Sequence, residues 1–282
     1  MTFLSKTPIV LAFSALAVLA VAAGCSREED AVEDSSSDLV AGGALQDLVI
    51  SQVYGGGGNA GAVFTHDFIE LFNQGDHDVD LEGKTLQYVS SGASFTKAKN
   101  ILTLPAGTAK LAPGKYFLIQ LATGAADPAA PIGAPLTDVD YTATQPAELI
   151  AMSKETGKIA LVNTLADALE NCGGAAPAIA CDSPAIIDLV GYGPNVTQWR
   201  GTAAGPALSS ATSATRHSGG CAHSGNNSDD FQAVPPVLRN GKTLASASCT
   251  TVDASAPPPV DAGPPKPPKE AGAKDAWAKP KK

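Results

Sequence analysis

Few residues of this chain are spaced for catalysis. The histidines are His66, His77, His217 and His223, and a histidine acts as a general base only with a nucleophile or a metal within reach. The sequence holds neither a Gly-x-Ser-x-Gly nor a His-Glu-x-x-His motif, which mark serine hydrolases and zinc proteases. We therefore interpret the histidines as surface residues and predict that the protein is not an enzyme and has no catalytic residue.

A run of oxygen-bearing side chains at 226–230 has the donor type that calcium prefers. Asn226, Asn227, Asp229 and Asp230 form a candidate metal site, with calcium as the one cofactor to consider. The run lacks the spacing of an EF-hand loop, and turns are rich in the same residue types. A plain turn is therefore the alternative.

Three further residues are candidates for binding a ligand: Glu70, Tyr54 and Trp199. Glu70 stands in an apolar stretch, where a buried carboxylate needs a partner. Arg216 or a backbone turn is the expected partner, and a metal or catalytic role is the alternative. Tyrosine and tryptophan near loop ends suit recognition. The glycines at 55–58 lack the Gly-Lys-Ser/Thr of a P-loop, so a mobile hairpin loop is predicted there.

The N-terminal segment has the features of an export signal. Residues 8–21 form an apolar run, which at about 14 residues is shorter than the ~20 that span a bilayer. Ala22-Ala23-Gly24-Cys25 then resembles the lipobox of bacterial lipoproteins, with an alanine where that motif prefers leucine. The resemblance implies a signal peptide over 1–24, lipidation of Cys25 and a membrane anchor, and Ser26 favours the outer membrane. An ordinary secretory signal is the alternative.

The other cysteines, Cys172, Cys181, Cys221 and Cys249, are even in number. In an exported chain this favours disulfides, for which three connectivities exist. Sequential pairing, Cys172 with Cys181 and Cys221 with Cys249, is the pairing we favour. A zinc site is the rival because histidines lie close to Cys221, but no Cys-x2-Cys spacing supports it.

The chain divides into two polar tails and one domain. Residues 25–47 carry seven acids against one base, and residues 251–282 are rich in proline and lysine. We predict a flexible acidic tether and a disordered tail. The net charge of −9 argues against a nucleic-acid partner, because phosphate binding requires a basic surface.

Residues 48–250 are predicted to form an all-β sandwich, because short runs of strand-forming residues alternate with turns. One short helix is expected at 163–170. The predicted strands lie at 48–54, 67–73, 85–89, 101–104, 115–121, 148–152, 158–162 and 186–192.

Several ordered blocks of this domain resemble bacterial lamin tail domains. The blocks are 50–59, 67–73, 188–193, 213–216, 220–221, 226–231 and 236–240. The likeness covers about residues 47–249 and implies an immunoglobulin-like β-sandwich that binds or anchors rather than catalyses, although some relatives lie beside a nuclease or phosphatase domain. Lys84, Arg200 and the segment 222–225 depart from the family pattern, which weakens any ligand site carried over from relatives.

The sequence thus predicts a lipid-anchored protein of the bacterial cell envelope, in the outer membrane or at the cell surface, with a non-catalytic lamin-tail-like binding or anchoring module. Its expected partners are the membrane, through the lipid, and envelope proteins or polysaccharide. The alternatives are an accessory or degenerate member of an extracellular metal-dependent nuclease or phosphatase system, and a structural spacer. Carboxylates converging around Glu70 and Asp229 would favour the metal-dependent system, and scattered acids would favour the binding module.

Overall fold

The computed structural model describes residues 47–249 apart from 126, 128, 178 and 245–248. The predicted signal peptide, Cys25, the tether up to residue 46 and the tail lie outside the described residues. Among the residues described, no helix has the length and apolar character that crossing a membrane requires.

The described residues form two β-sheets packed face to face. The strands are β1 Leu48–Tyr54, β2 Phe68–Asn73, β3 Thr85–Val89, β4 Ile101–Thr103, β5 Tyr116–Gln120, β6 Tyr141–Thr142, β7 Gly157–Val162, β8 Ile186–Tyr192, β9 Ser213–Arg216 and β10 Phe231–Val234. The larger sheet has the order β10-β9-β1-β2-β5-β6, and the smaller has the order β4-β3-β7-β8. Neighbouring strands are antiparallel except β5 and β6. The predicted immunoglobulin-like sandwich is confirmed.

Alternate side chains of each strand point to opposite faces of its sheet. On β2, Ile69 and Leu71 pack into the core between the sheets, together with apolar residues of β3, β7 and β8. Phe68 and Phe72 point the other way and belong to two smaller clusters on the outer face of the larger sheet. Because both faces are covered, β1, β2 and β8 are buried at every position.

The chain enters and leaves the sandwich at the same end. Asp47 lies beside the turn after β2, where its carbonyl accepts a hydrogen bond from Gln74. Cys249 is bonded to Cys221, and both pack against Phe72 near the end of β2. We call this the entry end. The far end is where β1 finishes at Tyr54.

Two disulfides join Cys172 to Cys181 and Cys221 to Cys249, which is the sequential pairing that the sequence favours. The first holds a loop against the outer face of the smaller sheet, where Cys172 packs in a cluster with residues of β7 and β8. The second fixes the segment that follows β10 to the larger sheet.

Three short strands, β6, β9 and β10, were not predicted from the sequence, and two predicted elements are not formed as expected. The predicted helix at 163–170 is a single 3-10 turn, Leu165–Asp167, because the side chain of Gln87 takes both the N–H and the C=O of Leu169. The predicted strand at 148–152 is irregular, since the Met152 N–H donates to the Asp67 carboxylate instead of to a neighbouring strand.

Candidate functional site

A buried arginine joins the two sheets. Arg216 on β9 is 1% exposed, and its Nη atoms lie 2.7 Å from Asp188 Oδ2 on β8 and 3.0 Å from Asp230 Oδ2. It also donates to the carbonyls of Ile50 and Ala222 at 3.0 and 2.9 Å. The remaining carboxylate oxygens accept hydrogen bonds from backbone amides and a serine hydroxyl. These charges satisfy one another inside the protein.

Glu70 on β2 is fully buried and pairs with Arg239, so the predicted partner Arg216 is wrong. The guanidinium nitrogens of Arg239 lie 2.6 and 3.0 Å from the two carboxylate oxygens, and the Ser51 hydroxyl donates at 2.5 Å. Arg216 is committed to the network between the sheets, whereas the segment after β10 returns along the larger sheet and brings Arg239 to Glu70. Burial raises the pKa of Glu70 to about 7, and the nearby Arg239 opposes this rise.

A second buried carboxylate, Asp67, ties the far end together. Its oxygens accept the N–H groups of Gly57 and Met152 at 2.8 and 2.7 Å. Burial raises the pKa of Asp67 to about 8, because it outweighs the opposing effect of the two amides. The phenol groups of Tyr88 and Tyr192 lie nearby and bond to the backbone of residue 153.

The glycines at 55–58 are buried, so the predicted mobile loop is wrong. A Cβ atom on Gly57 would stand 2.0 Å from the carbonyl carbon of His66, and one on Gly56 would stand 2.5 Å from the carbonyl oxygen of Ser210. Glycine is needed here because neighbouring backbones approach too closely for any side chain. These glycines allow the backbone segments at the far end to pack closely together.

The oxygen-rich run predicted as a calcium site contains one short helix, α1 Asn227–Asp230. Asn227 is buried and its Oδ1 accepts the N–H groups of Gly191 and Arg200 at 2.9 and 3.1 Å. Its Nδ2 donates to the carbonyl of Leu189 at 3.2 Å. This side chain therefore takes the place of a neighbouring strand along β8, where it protects the open edge of the smaller sheet.

The other members of the run have different neighbours. Asp230 pairs with Arg216, while Asn226 and Asp229 bond to each other on the surface at 2.7 Å. In the part of the chain that the structure describes, no three His, Cys, Asp or Glu side chains are grouped to hold a metal ion. Glu70 and Asp229 belong to separate networks, so the arrangement that would favour metal chemistry is not formed by these two residues. Calcium binding stays a prediction.

Of the three predicted binding residues, only Trp199 is partly exposed. Tyr54 is fully buried, and its hydroxyl donates to the carbonyl of Ser210 at 2.6 Å and accepts the N–H of Val63 at 3.0 Å. Tyr54 and Glu70 therefore have packing and pairing roles in this fold. His77 is exposed and the other three histidines are partly exposed.

Sequence reasoning missed Lys158, which is buried on β7. Its ammonium group donates to the carbonyls of Ser91, Ala93 and Gly173 and to the hydroxyl of Thr197, at 2.5 to 2.9 Å. Three loops are thereby held over the outer face of the smaller sheet. Burial lowers the pKa of Lys158 to about 8. A lone lysine in a run of strand residues, Lys-Ile-Ala-Leu-Val, was the available signal.

Two open concavities meet at Lys99, in the loop between β3 and β4. One is a cleft of about 580 Å³ with a mixed lining of apolar and hydroxyl-bearing residues, the latter including Ser94, Thr96 and Ser153. The other is a groove of about 350 Å³ beside β4. Both are open to solvent and deep enough to receive a side chain of a partner.

Two comparisons with known proteins found a similarity. The model of the lamin tail domain family matches residues 42–193. A solved structure of a DUF4876 family protein from Bacteroides thetaiotaomicron is 15% identical, with a TM-score of 0.42, and the similarity covers 73% of this chain and 76% of that chain. No curated protein matches the chain. Because the family model matches more than half of the chain and includes β1 to β8, the chain belongs to the lamin tail domain family.

Proposed function

We propose that this protein is lipid-anchored in the bacterial cell envelope and that its sandwich is a non-catalytic module that binds or anchors an envelope component. Family membership suggests such a module. The observation that supports the non-catalytic role is that the buried carboxylates are bonded to other groups of the protein. Asp188, Asp230 and Glu70 each hold an arginine at salt-bridge distance, and the two oxygens of Asp67 accept backbone N–H groups. All four carboxylates are buried, whereas a general acid or base must lie within hydrogen-bond reach of its substrate.

The lipid anchor is supported by the sequence at Cys25. A cysteine follows three small residues at the end of a short apolar run, and the acyl chains added to such a cysteine give stable membrane attachment when there is more than one. The acidic residues that follow keep the sandwich away from the bilayer in this proposal, and the sandwich surface makes the contact.

The test is metabolic labelling with a radioactive fatty acid, followed by separation of membrane and soluble fractions. Cys25→Ser is expected to lose the label and to move into the soluble fraction, whereas Ser36→Ala, in the same segment, is expected to keep both properties. If Cys25→Ser stays in the membrane fraction, the anchor is wrong.

The binding role is tested separately by chemical crosslinking in intact envelopes and identification of the crosslinked component. The natural protein is expected to give a defined product that Trp199→Ala reduces, because Trp199 is partly exposed. A protein that gives no defined product is a spacer, which contradicts the binding module but leaves the anchor in place.

A further inference from the structure

At the free edge of β4, some main-chain N–H and C=O groups form no hydrogen bond with any described residue. The amide of Leu104 donates to Lys84, and the amide of Tyr88 donates to the carbonyl of Asn100. In an antiparallel ladder hydrogen-bonded pairs alternate with unbonded ones. This register therefore turns the main-chain groups of residues 101 and 103 away from β3 and towards the edge of the sheet.

The edge is only partly closed by the chain itself. The N–H of Ile101 donates to the carbonyl of Ala147 at 3.2 Å. Within the described residues, the N–H and C=O of Thr103 and the C=O of Ile101 have no main-chain hydrogen-bond partner. A donor and an acceptor on one residue are the arrangement to which an added strand binds.

An apolar groove runs beside this edge. Ile101, Ala147 and Leu165 contribute its apolar lining, and Leu165 is 53% exposed. The ammonium group of Lys97 donates to the carbonyl of Ala166 at 3.2 Å, next to Leu165 on the same wall. The groove can therefore accept an apolar side chain from a strand laid along β4.

The charge around the groove is positive in an otherwise acidic protein. Lys97 and Lys99 line the groove, and Lys99 also lines the neighbouring cleft, which has no carboxylate in its lining. The one carboxylate in the groove lining, Glu148, accepts a hydrogen bond from the Tyr141 hydroxyl at 3.1 Å. The lysines are thus the charged groups best placed to select a partner.

We propose that the β4 edge binds an extended acidic peptide segment of another envelope protein by strand addition. The partner's backbone bonds to Thr103, an apolar side chain fills the groove at Leu165, and a carboxylate one or two residues away pairs with Lys99. This assignment names the partner class for the proposed binding module and rests on that proposed function, but it does not depend on the lipid anchor.

The test uses a capped heptapeptide of alternating glutamate and valine and the full chain with its disulfides intact. Binding is followed by isothermal titration and by the backbone amide signal of Thr103 in nuclear magnetic resonance spectra. The peptide is expected to bind, to shift the Thr103 signal, and to bind more weakly as salt is added. Lys99→Glu is expected to weaken binding about tenfold or more by placing like charges together.

Control variants separate this site from general charge effects. Lys110→Glu, an exposed lysine away from the groove, is expected to leave the affinity unchanged. Thr103→Pro removes an amide that has no partner within the described protein, together with the hydroxyl contact to Thr85 at 3.0 Å. It is expected to abolish binding and to lower the melting temperature only slightly, because proline is tolerated on an edge strand.

Four results would overturn the proposal. They are no binding of the peptide, equal binding of a lysine–valine peptide, undiminished binding of a peptide N-methylated at alternate residues, and a concentration-dependent dimer that Thr103→Pro dissolves. The last result would assign the edge to a second copy of the chain. Membrane release of Cys25→Ser is measured independently, so a failed peptide titration leaves the anchor untouched.

Discussion

At the scale of single residues, the protein uses buried charges as fixed connections between distant parts of the chain. Arg216 joins β9 to β8 and to α1 through Asp188 and Asp230, and Arg239 joins the segment after β10 to β2 through Glu70. Such pairs are costly to break, because removal of one partner leaves the other charge buried without compensation. Their role here is to hold the sandwich in one arrangement.

Arg216→Met is expected to lower the free energy of unfolding by about 3–5 kcal/mol, because Asp188 and Asp230 lose their common cation. Urea denaturation followed by tyrosine and tryptophan fluorescence measures the change. The control is Lys154→Met, which removes a solvent-exposed pair with Glu155 and is expected to change stability by less than about 1 kcal/mol. Equal effects of the two substitutions would contradict the proposed role of Arg216.

Asp67 gives a dependence of stability on pH. Because burial raises its pKa to about 8, the folded protein holds a proton that the unfolded chain releases near pH ~4. The folded state therefore binds more protons between these values, and its stability falls as the pH rises through this range, by at most about 1.4 kcal/mol per pH unit.

The measurement is urea denaturation at a series of pH values for the natural protein and for Asp67→Asn. The variant is expected to be less stable at low pH, because an amide cannot accept both backbone N–H groups, and to show a shallower fall with pH. Glu70 titrates in both proteins, so the difference between the two slopes belongs to Asp67. Parallel slopes would show that Asp67 is ionised in the folded protein at neutral pH.

At the scale of elements, the sequence predicts the strands whose burial is carried by their own residues. β1, β2 and β8 are continuous runs of strand-forming side chains buried on both faces, so composition alone identifies them. β9 and β10 are short and more polar. They are strands because β9 pairs with β1 and with β10, and that tertiary pairing leaves no pattern in a short sequence window.

The candidate site was less predictable for the same reason. The apolar residues around Glu70 in the sequence indicate a buried charge, but its partner Arg239 lies 169 residues further along the chain. The glycines at 55–58 resemble a loop in sequence, whereas their purpose is the close approach of backbones from residues 66 and 210. Lys99 belongs to no recognisable sequence motif, and its proposed role in binding follows only from its position beside the free edge of β4.

The two disulfides are expected to contribute unequally to stability. They close separations of 9 and 28 residues, and chain entropy predicts about 2.6 kcal/mol for the shorter loop and about 3.6 kcal/mol for the longer one. Denaturation of the double variants Cys172→Ala/Cys181→Ala and Cys221→Ala/Cys249→Ala measures the difference. Thiol titration of the denatured, unreduced protein in its mature, acylated form is expected to find no free thiol, and the reverse order of stabilities would contradict the entropic argument.

At the scale of the whole molecule, the positions where the chain enters and leaves the sandwich determine which end can lie closer to a membrane anchor. Asp47 and Cys249 both lie at the entry end, while the loops around Tyr54 and Ser210 lie at the far end. A flexible chain of about 22 residues, the separation of Cys25 from Asp47, would have a root-mean-square length of only ~26 Å. If Cys25 is the anchor, the entry end is on average closer to the membrane, and the far end is presented outwards.

This orientation is testable by energy transfer from the protein to an acceptor lipid in vesicles. Fluorophores are attached in turn to Asp78→Cys at the entry end and to Ser209→Cys at the far end, since both positions are exposed. Transfer is expected to be stronger from position 78, because it lies beside the segment that leads to the anchor. The same variants carrying Cys25→Ser are expected to show no transfer. Equal transfer from both positions in the acylated protein would mean that the sandwich lies on its side against the membrane, and the proposed outward presentation of the far end would then be wrong.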